Sequence, residues 1–297
     1  MNTPQPDLSS APMGGTIVPG GAIFRIWAPN AKQVWLSGDF NGWKQDDSCA
    51  LDRIGDGHWA GFFAGLREGE QYLFYVDGTG STGYKRDPRS RQLTFQPAFP
   101  NCNCLLTDPG RFPWHNTGFG TPAFNNLVVY ELHVGAFSQR PDHPHGKFLD
   151  LIDRIPYLSD LGVNAIELMP IQEYPSNFSL GYNGTDYYSP ENDYGEYDEA
   201  QLQQYFTRVN QVLAGRGQAG YAGIDILRGS DNQLRAVVDV CHIYGLAVIL
   251  DVVYNHAGGG FDNNSLWFLD RQPYGNADNS LYFTDHDWAG PGVRVLE

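Results

Sequence analysis

Positive charge is what this chain has little of. Lys and Arg number 19 against 34 Asp and Glu, giving a formal net charge of −15 over 297 residues. Nucleic acids and anionic membrane surfaces attract basic proteins, because neutralising phosphates releases condensed counterions; neither is expected as a partner. Cysteine is scarce too: Cys49, Cys102, Cys104 and Cys241. They form no disulfide framework, and Cys102-Asn103-Cys104 lacks the paired spacing of a zinc site. Cys241 falls on a predicted apolar helix face, where a free thiol acts as a small hydrophobe. No apolar run approaches the ~20 residues that cross a bilayer. The first fifteen residues are polar and rich in Pro, Gly and Ser, with no apolar core of a secretory signal. A soluble, cytoplasmic protein is expected.

Aromatic residues are plentiful, at 14% of the chain with 17 Tyr, 17 Phe and 7 Trp. Flat rings stack on sugars, and they also fill β-rich cores. The length allows two domains. From Ala22 to about Thr107 the pattern is β: Phe24, Ile26 and Ala28 alternate with Arg25 and Trp27, Val34 and Leu36 with Trp35 and Ser37. Tyr72, Phe74 and Val76 repeat it. Turn signals at Asn41-Gly42, Gly55-Asp56-Gly57 and Asp77-Gly78 separate these runs. An immunoglobulin-like β-sandwich is expected over 21–107, behind a flexible N-terminus over 1–20. Residues 108–126, rich in Pro, Gly, Asn and Thr, read as a linker.

The rhythm then changes to α/β over 127–297. Leu127–Val134 is a strand candidate. Phe148, Leu151, Ile152, Ile155, Leu158 and Leu161 recur at helical spacing, with Pro156 predicting a kink or late start and Gly162 a stop. Val163–Met169 is a second buried strand. Ser230 and Gln233 have capping-box spacing ahead of the apolar face Leu234, Val237, Val238 and Cys241. Leu246–Leu250 is a third apolar run, expected to be buried on both faces of a parallel sheet. Asp251 interrupts it, followed by Asn255 and His256. A carboxylate in a buried strand is costly unless paired.

The string Asp251-Val252-Val253-Tyr254-Asn255-His256 resembles the first hallmark motif of the α-amylase superfamily, glycoside hydrolase family thirteen. Three further segments resemble that family in order: Val128–Gly135, Gly162–Pro170, and Gly181-Tyr182-Asn183-Gly184 with Asp186-Tyr187-Tyr188-Ser189-Pro190. Gly38-Asp39-Phe40-Asn41-Gly42-Trp43, preceded by Phe24–Pro29, resembles the starch- and glycogen-associated sandwich that precedes branching and debranching enzymes. The implied fold is this sandwich followed by the first three βα steps of a (β/α)₈ TIM barrel. The implied chemistry is retaining cleavage of α-1,4-glucosidic bonds, with 1,4-α-glucan branching first. Maltooligosyl-trehalose trehalohydrolase- or debranching-type hydrolysis is the alternative, and a non-catalytic glucan-binding scaffold the reading from another class. Glycogen, starch or maltooligosaccharide is the implied partner; no cofactor is implied.

By this resemblance Tyr182 stacks on the sugar at the cleavage point, His256 bonds its hydroxyl, and Asp251 buttresses the site. Asn255 matches a calcium ligand of secreted amylases, a metal that many intracellular relatives do not bind. Trp43 and Tyr84 take the positions of sugar-contacting tryptophans in the module, while Leu73 stands where a Lys is usual. Packing at a domain interface is the alternative for Trp43. The family's nucleophile, acid/base and a third carboxylate follow the fourth, fifth and seventh barrel strands, so they are expected beyond Glu297. Helix-forming residues at about 200–214, between Tyr194 and Ser230, form an insertion expected to border the active-site face. Gly215–Gly220 spells a dinucleotide fingerprint but follows a helix, where the fingerprint needs a strand. Glu131 with His133 reads as structural, and His143-Pro144-His145 as a solvated loop.

Overall fold

The structure is a computed structural model describing residues 7–79, 81–115, 118–139, 145–175, 179–258, 262–266 and 269–270, with the backbone of 283–284 and 293–296. Eight strands build the sandwich: β1 (Gly14–Val18), β2 (Gly21–Trp27), β3 (Ala31–Gly38), β4 (Asp52–Gly55), β5 (His58–Ala64), β6 (Gln71–Gly78), β7 (Thr82–Lys85) and β8 (Cys104–Leu105). One sheet runs β1-β2-β5-β4; the other runs β3-β6-β7, with β8 beside β6. Period-two alternation sets the inner faces. Phe24, Ile26, Val34, Leu36, Phe74 and Val76 are buried between the sheets.

One expectation is corrected here. The chain before Gly21 is not a flexible tail throughout, because Gly14–Val18 pairs with Gly21–Arg25 as the first strand of a sheet. Asn41-Gly42 does turn the chain after β3, with Gly42 at φ 63°. Asp39–Asn41 is a short 3₁₀ turn, and Asn41 Oδ1 accepts from both Gly38 N and Trp43 N.

The α/β half contains β9 (Val129–Leu132), α1 (Val134–Phe137), α2 (Phe148–Ile152), α3 (Ile155–Leu161), β10 (Ala165–Leu168), β11 (Gln172–Glu173), β12 (Asp186–Pro190), α4 (Glu199–Ala214), α5 (Ser230–Ile243), β13 (Ala247–Leu250), β14 (His256–Gly258), β15 (Phe283–Thr284) and β16 (Val293–Leu296). Strands β13-β10-β9 form a parallel sheet in register: Glu131 lies beside Glu167, and Glu167 beside Ile249. Tyr130, Ile166 and Val248 point to the helix side and join its core. Alternation therefore turns Glu131, Glu167 and Ile249 to the other face.

Several details differ from expectation for local reasons. Strand β13 is not buried on both faces: Leu250 is 44% exposed, since no helix beyond β13 covers it among the described residues. Leu161 is exposed at the last turn of α3. As expected, Pro156 marks a late start, in the first turn of α3 where its missing N–H costs nothing, and Gly162 (φ 92°) closes that helix. Ser230 does not cap α5. Gly229 (φ 85°) does, and the Gln233 amide instead bonds Glu196 and Leu227. Helix α4 does not border the strand ends along its length. It packs over α2, with the Tyr205 hydroxyl donating to Asp150 at 2.7 Å, and its C-terminal end reaches Tyr244, ahead of β13.

The segment read as a linker is fastened down. Phe112 is buried in the barrel-side core. His115 N and Nδ1 bond the two oxygens of Asp239 at 2.9 and 2.7 Å, and Nε2 meets the Ala219 carbonyl at 2.8 Å. Both ring nitrogens face acceptors, so the imidazolium satisfies both. Burial opposes that charge, but the bonds to Asp239 and Ala219 outweigh it and raise the pKa. A raised folded pKa gives stability that is complete below the ordinary value of about 6.5 and lost as pH rises through the folded value. The gap in melting temperature between wild type and His115→Ala is expected to be widest below pH ~6.5 and to narrow as pH rises above it. A gap that stays constant across that range would exclude the imidazolium.

Candidate active site

The parallel strands end at one level, and residues just beyond them meet there, as at the C-terminal face of a barrel. Asp251 N donates to the Leu168 carbonyl at 2.9 Å, extending the register of β13. Its carboxylate accepts the Tyr182 hydroxyl at 2.6 Å. The acid thus sits half-exposed and partnered at a strand end, and escapes the cost of a bare charge inside a strand. Tyr182 is 39% exposed. Its phenol is pushed up to about 12, first by the bond to Asp251, then by partial burial and the charges of Asp251, Glu131 and Glu167. The acidic mouth keeps the proton on Tyr182.

Backbone geometry fixes this tyrosine. Gly181 has φ 88°, and a Cβ there would lie 2.3 Å from the Pro170 carbonyl oxygen, so only glycine fits. His256 Nε2 donates to the Tyr182 carbonyl at 2.7 Å, while Nδ1 accepts from Asn255 Nδ2 at 3.0 Å. Both ring nitrogens are engaged. The Tyr187 hydroxyl donates to the His256 carbonyl at 3.1 Å. Tyr182, Asp251 and His256 therefore form one bonded unit across long sequence separations.

The remaining candidates lie elsewhere. Trp43 and Tyr84 stand edge to face at 6.2 Å on the module, and the Tyr84 hydroxyl donates to the Trp43 carbonyl at 3.0 Å. Trp43 packs on sandwich side chains and has a left-handed backbone (φ 60°), an unusual state for so large a residue. The ring series continues through Tyr75 to Trp35, while Leu73 is buried. Asn255 gathers no acidic set: among the described residues no group of three or more His, Cys, Asp or Glu is placed to hold a metal ion. His133 caps α1, its Nδ1 accepting from Ala136 N at 3.1 Å. His143 and Glu297 lie outside the described residues.

Sequence reasoning missed the supports of this site. Arg86 of the sandwich binds both oxygens of Asp186 at 2.8 and 2.9 Å, and also meets Asp262. Asp186 and Tyr187 stood within a recognised string; nothing local to Arg86 marks a contact with residues so distant in sequence. Glu173 and Glu191 are buried behind the same segment, and burial pushes both carboxyls up.

Comparison with known proteins agrees with this fold. The family profile of carbohydrate-binding module 48 (isoamylase N-terminal domain) matches residues 12–90. That of the alpha amylase catalytic domain matches residues 131–212. The two family matches and the relatives below together place the chain in the α-amylase superfamily. More particularly, it is branching-enzyme-like. It is similar to the 1,4-alpha-glucan branching enzyme of Oleidesulfovibrio alaskensis, 31% identical over 264 residues, covering 83% of this chain and 36% of the relative. The enzyme of that name from Bacillus subtilis is 29% identical over 266 residues, covering 85% and 35%. The chain thus spans about a third of the length of these curated relatives. A provisionally named alpha amylase from Salmonella typhimurium superposes with a TM-score of 0.68 at 26% identity, over 96% of this chain and 38% of that one. A pullulanase from Anoxybacillus, solved with maltotetraose, gives 0.69 at 20% identity over 95% and 40%, a likeness of fold.

Proposed function

We propose that this chain contributes a sandwich module (21–107), a linker (108–126) and the opening three βα steps of a (β/α)₈ barrel (from 127) to a cytoplasmic enzyme that transfers segments of 1,4-α-glucan. Glycogen, starch or maltooligosaccharide is the substrate class. Retaining chemistry by two carboxyl groups passes through a glycosyl-enzyme, and attack by a sugar hydroxyl instead of water makes a branch. The names of the curated relatives support transfer over hydrolysis. Four buried cysteines, none of them in a disulfide, suit a reducing compartment.

Tyr182 carries the reading. Its hydroxyl is held by Asp251 and its carbonyl by His256, so a half-exposed ring is fixed at the mouth of the sheet. A fixed ring stacks on a glucosyl face without losing much rotamer freedom on binding. Tyr182→Ala is expected to weaken maltoheptaose binding about five-fold, from roughly 1 kcal/mol of lost stacking. Tyr182→Phe, which keeps the ring, is expected to lose less. Calorimetric titration checks both, and wild-type affinity in Tyr182→Ala would remove the residue from the site. The ring series Trp43–Tyr84–Tyr75–Trp35 favours a second, binding-only reading of the module. On that reading Trp43→Ala and Tyr84→Ala weaken binding independently of Tyr182.

A further inference from the structure

We infer that Arg86 is a positioning residue through which the sandwich clamps the two barrel segments that carry Tyr182 and His256. The inference rests on the reading of Tyr182, held by Asp251 and His256, as a sugar subsite. Arg86 is 1% exposed and lies just past β7. Its Nε and Nη2 take both oxygens of Asp186 at 2.8 and 2.9 Å, Nη2 also meets Asp262 Oδ2, and Nη1 donates to the Pro100 carbonyl at 3.0 Å. A planar fork can hold a carboxylate in this two-point way, whereas an ammonium cannot.

The positions of the two acids give the contact its meaning. Asp186 opens β12, directly after the Gly181–Gly184 turn that presents Tyr182. Its neighbour Tyr187 supports the His256 carbonyl at 3.1 Å. Asp262 lies in the segment that follows β14, the strand opened by His256. That segment is gripped again at the same place: Arg86 N donates to the Asn264 carbonyl at 2.7 Å, and Lys85 Nζ to that of Asn263 at 2.5 Å. Further on, Leu269 is buried in the sandwich core, and Asn30 N donates to Asp270 at 2.7 Å. The two arms also touch each other. Gly258 N donates to the Gly184 carbonyl at 3.0 Å, so close that a Cβ on Gly258 would lie 2.1 Å from Asn183 O. Arg86 therefore stands where both arms converge, with one guanidinium between two buried carboxylates.

Removing that cation would leave two buried acids facing each other, and Arg86→Met is expected to fold poorly. Asp262→Asn and Arg86→Lys are the informative variants, since the first keeps the Asp186 bond and the second keeps the charge without the fork. Glu68→Gln, which removes the exposed pair with Arg111 at 2.6 Å, is the control for a general surface charge change.

Tyrosine-ring carbon NMR, with Tyr182→Phe to assign the signal, follows the Tyr182 phenol directly. In both clamp variants its titration is expected to fall from about 12 towards the ordinary tyrosine range as the bond to Asp251 loosens. Amide exchange over 181–187 and 256–258 is expected to quicken, and maltoheptaose affinity to drop by no more than the roughly five-fold of Tyr182→Ala. Arg86→Lys should be the less affected, and Glu68→Gln should match wild type. Folded variants in which the Tyr182 titration and exchange stay at wild-type values would overturn the clamp, leaving Arg86 as a domain tether. Should Arg86→Lys fail to fold, Asp262→Asn decides. Failure of the wild-type chain to bind maltoheptaose would instead count against the subsite reading, while titration and exchange still judge the clamp.

Discussion

Amylose and glycogen incubated with the purified 297-residue chain are expected to come through unchanged in iodine-staining and reducing-end assays. Retaining cleavage needs two carboxyl groups ~5–5.5 Å apart on either side of the scissile bond. At the described strand ends Asp251 accepts the Tyr182 hydroxyl, which makes it a support. Glu131 and Glu167 are the nearest thing to a pair: they are register neighbours on β9 and β10, strands that lie ~4.8 Å apart. Both rise from the same face of one sheet, however, so they line a floor and do not flank a bond. The family resemblance puts the reacting acids after the fourth, fifth and seventh strands, and the described parallel sheet has three. Loss of a nucleophile and its partner typically costs around 10⁶-fold, which takes turnover below detection. Turnover in material free of host amylase, abolished by Glu131→Gln or Glu167→Gln, would make that pair the chemistry and undo this assignment.

What the sequence made legible divides by the range of the interactions. Local patterns read well: the alternation in β2, β3 and β6, the break at Pro156 with its stop at Gly162, and the helix ahead of Gly215–Gly220. The order of the parallel strands and the meeting of Tyr182, Asp251 and His256 came from family resemblance; no pattern within those residues reports a contact across a long loop. Burial was over-read where a neighbour is lacking. Leu161 and Leu250 are apolar and fit the periodicity, yet each is about half exposed. The capping-box spacing at Ser230 misled because Gly229 can adopt a positive φ that fixes the helix start, freeing Gln233 to bond other segments. The Arg86 cluster was illegible for a different reason. Its three charged members are single residues in unremarkable local contexts, and only the packing of sandwich on barrel brings them together.

Concentration-dependent self-association is the second large expected result. In the three-stranded parallel sheet β9 and β13 are edge strands, and no described strand pairs with their outer sides. An edge presents a row of unpaired N–H and C=O groups to any other chain. Apolar residues border both edges: Val128 is 54% exposed, Val129 41%, Leu250 44% and Val252 50%. Completing their burial against a second chain would remove apolar area from water at roughly 25 cal/mol per Å², and backbone pairing along the edge acts in the same direction. The net charge of −15 opposes association, so the balance depends on ionic strength. Gel filtration with light scattering should show larger species as concentration rises, and more of them as salt screens the repulsion. Val128→Lys with Val252→Lys places a charge at each edge and is expected to weaken association more than ten-fold while leaving the sandwich melting transition in place. A monodisperse monomer at every concentration and salt level would mean that the edges are protected, and would contradict the description of this sheet as open.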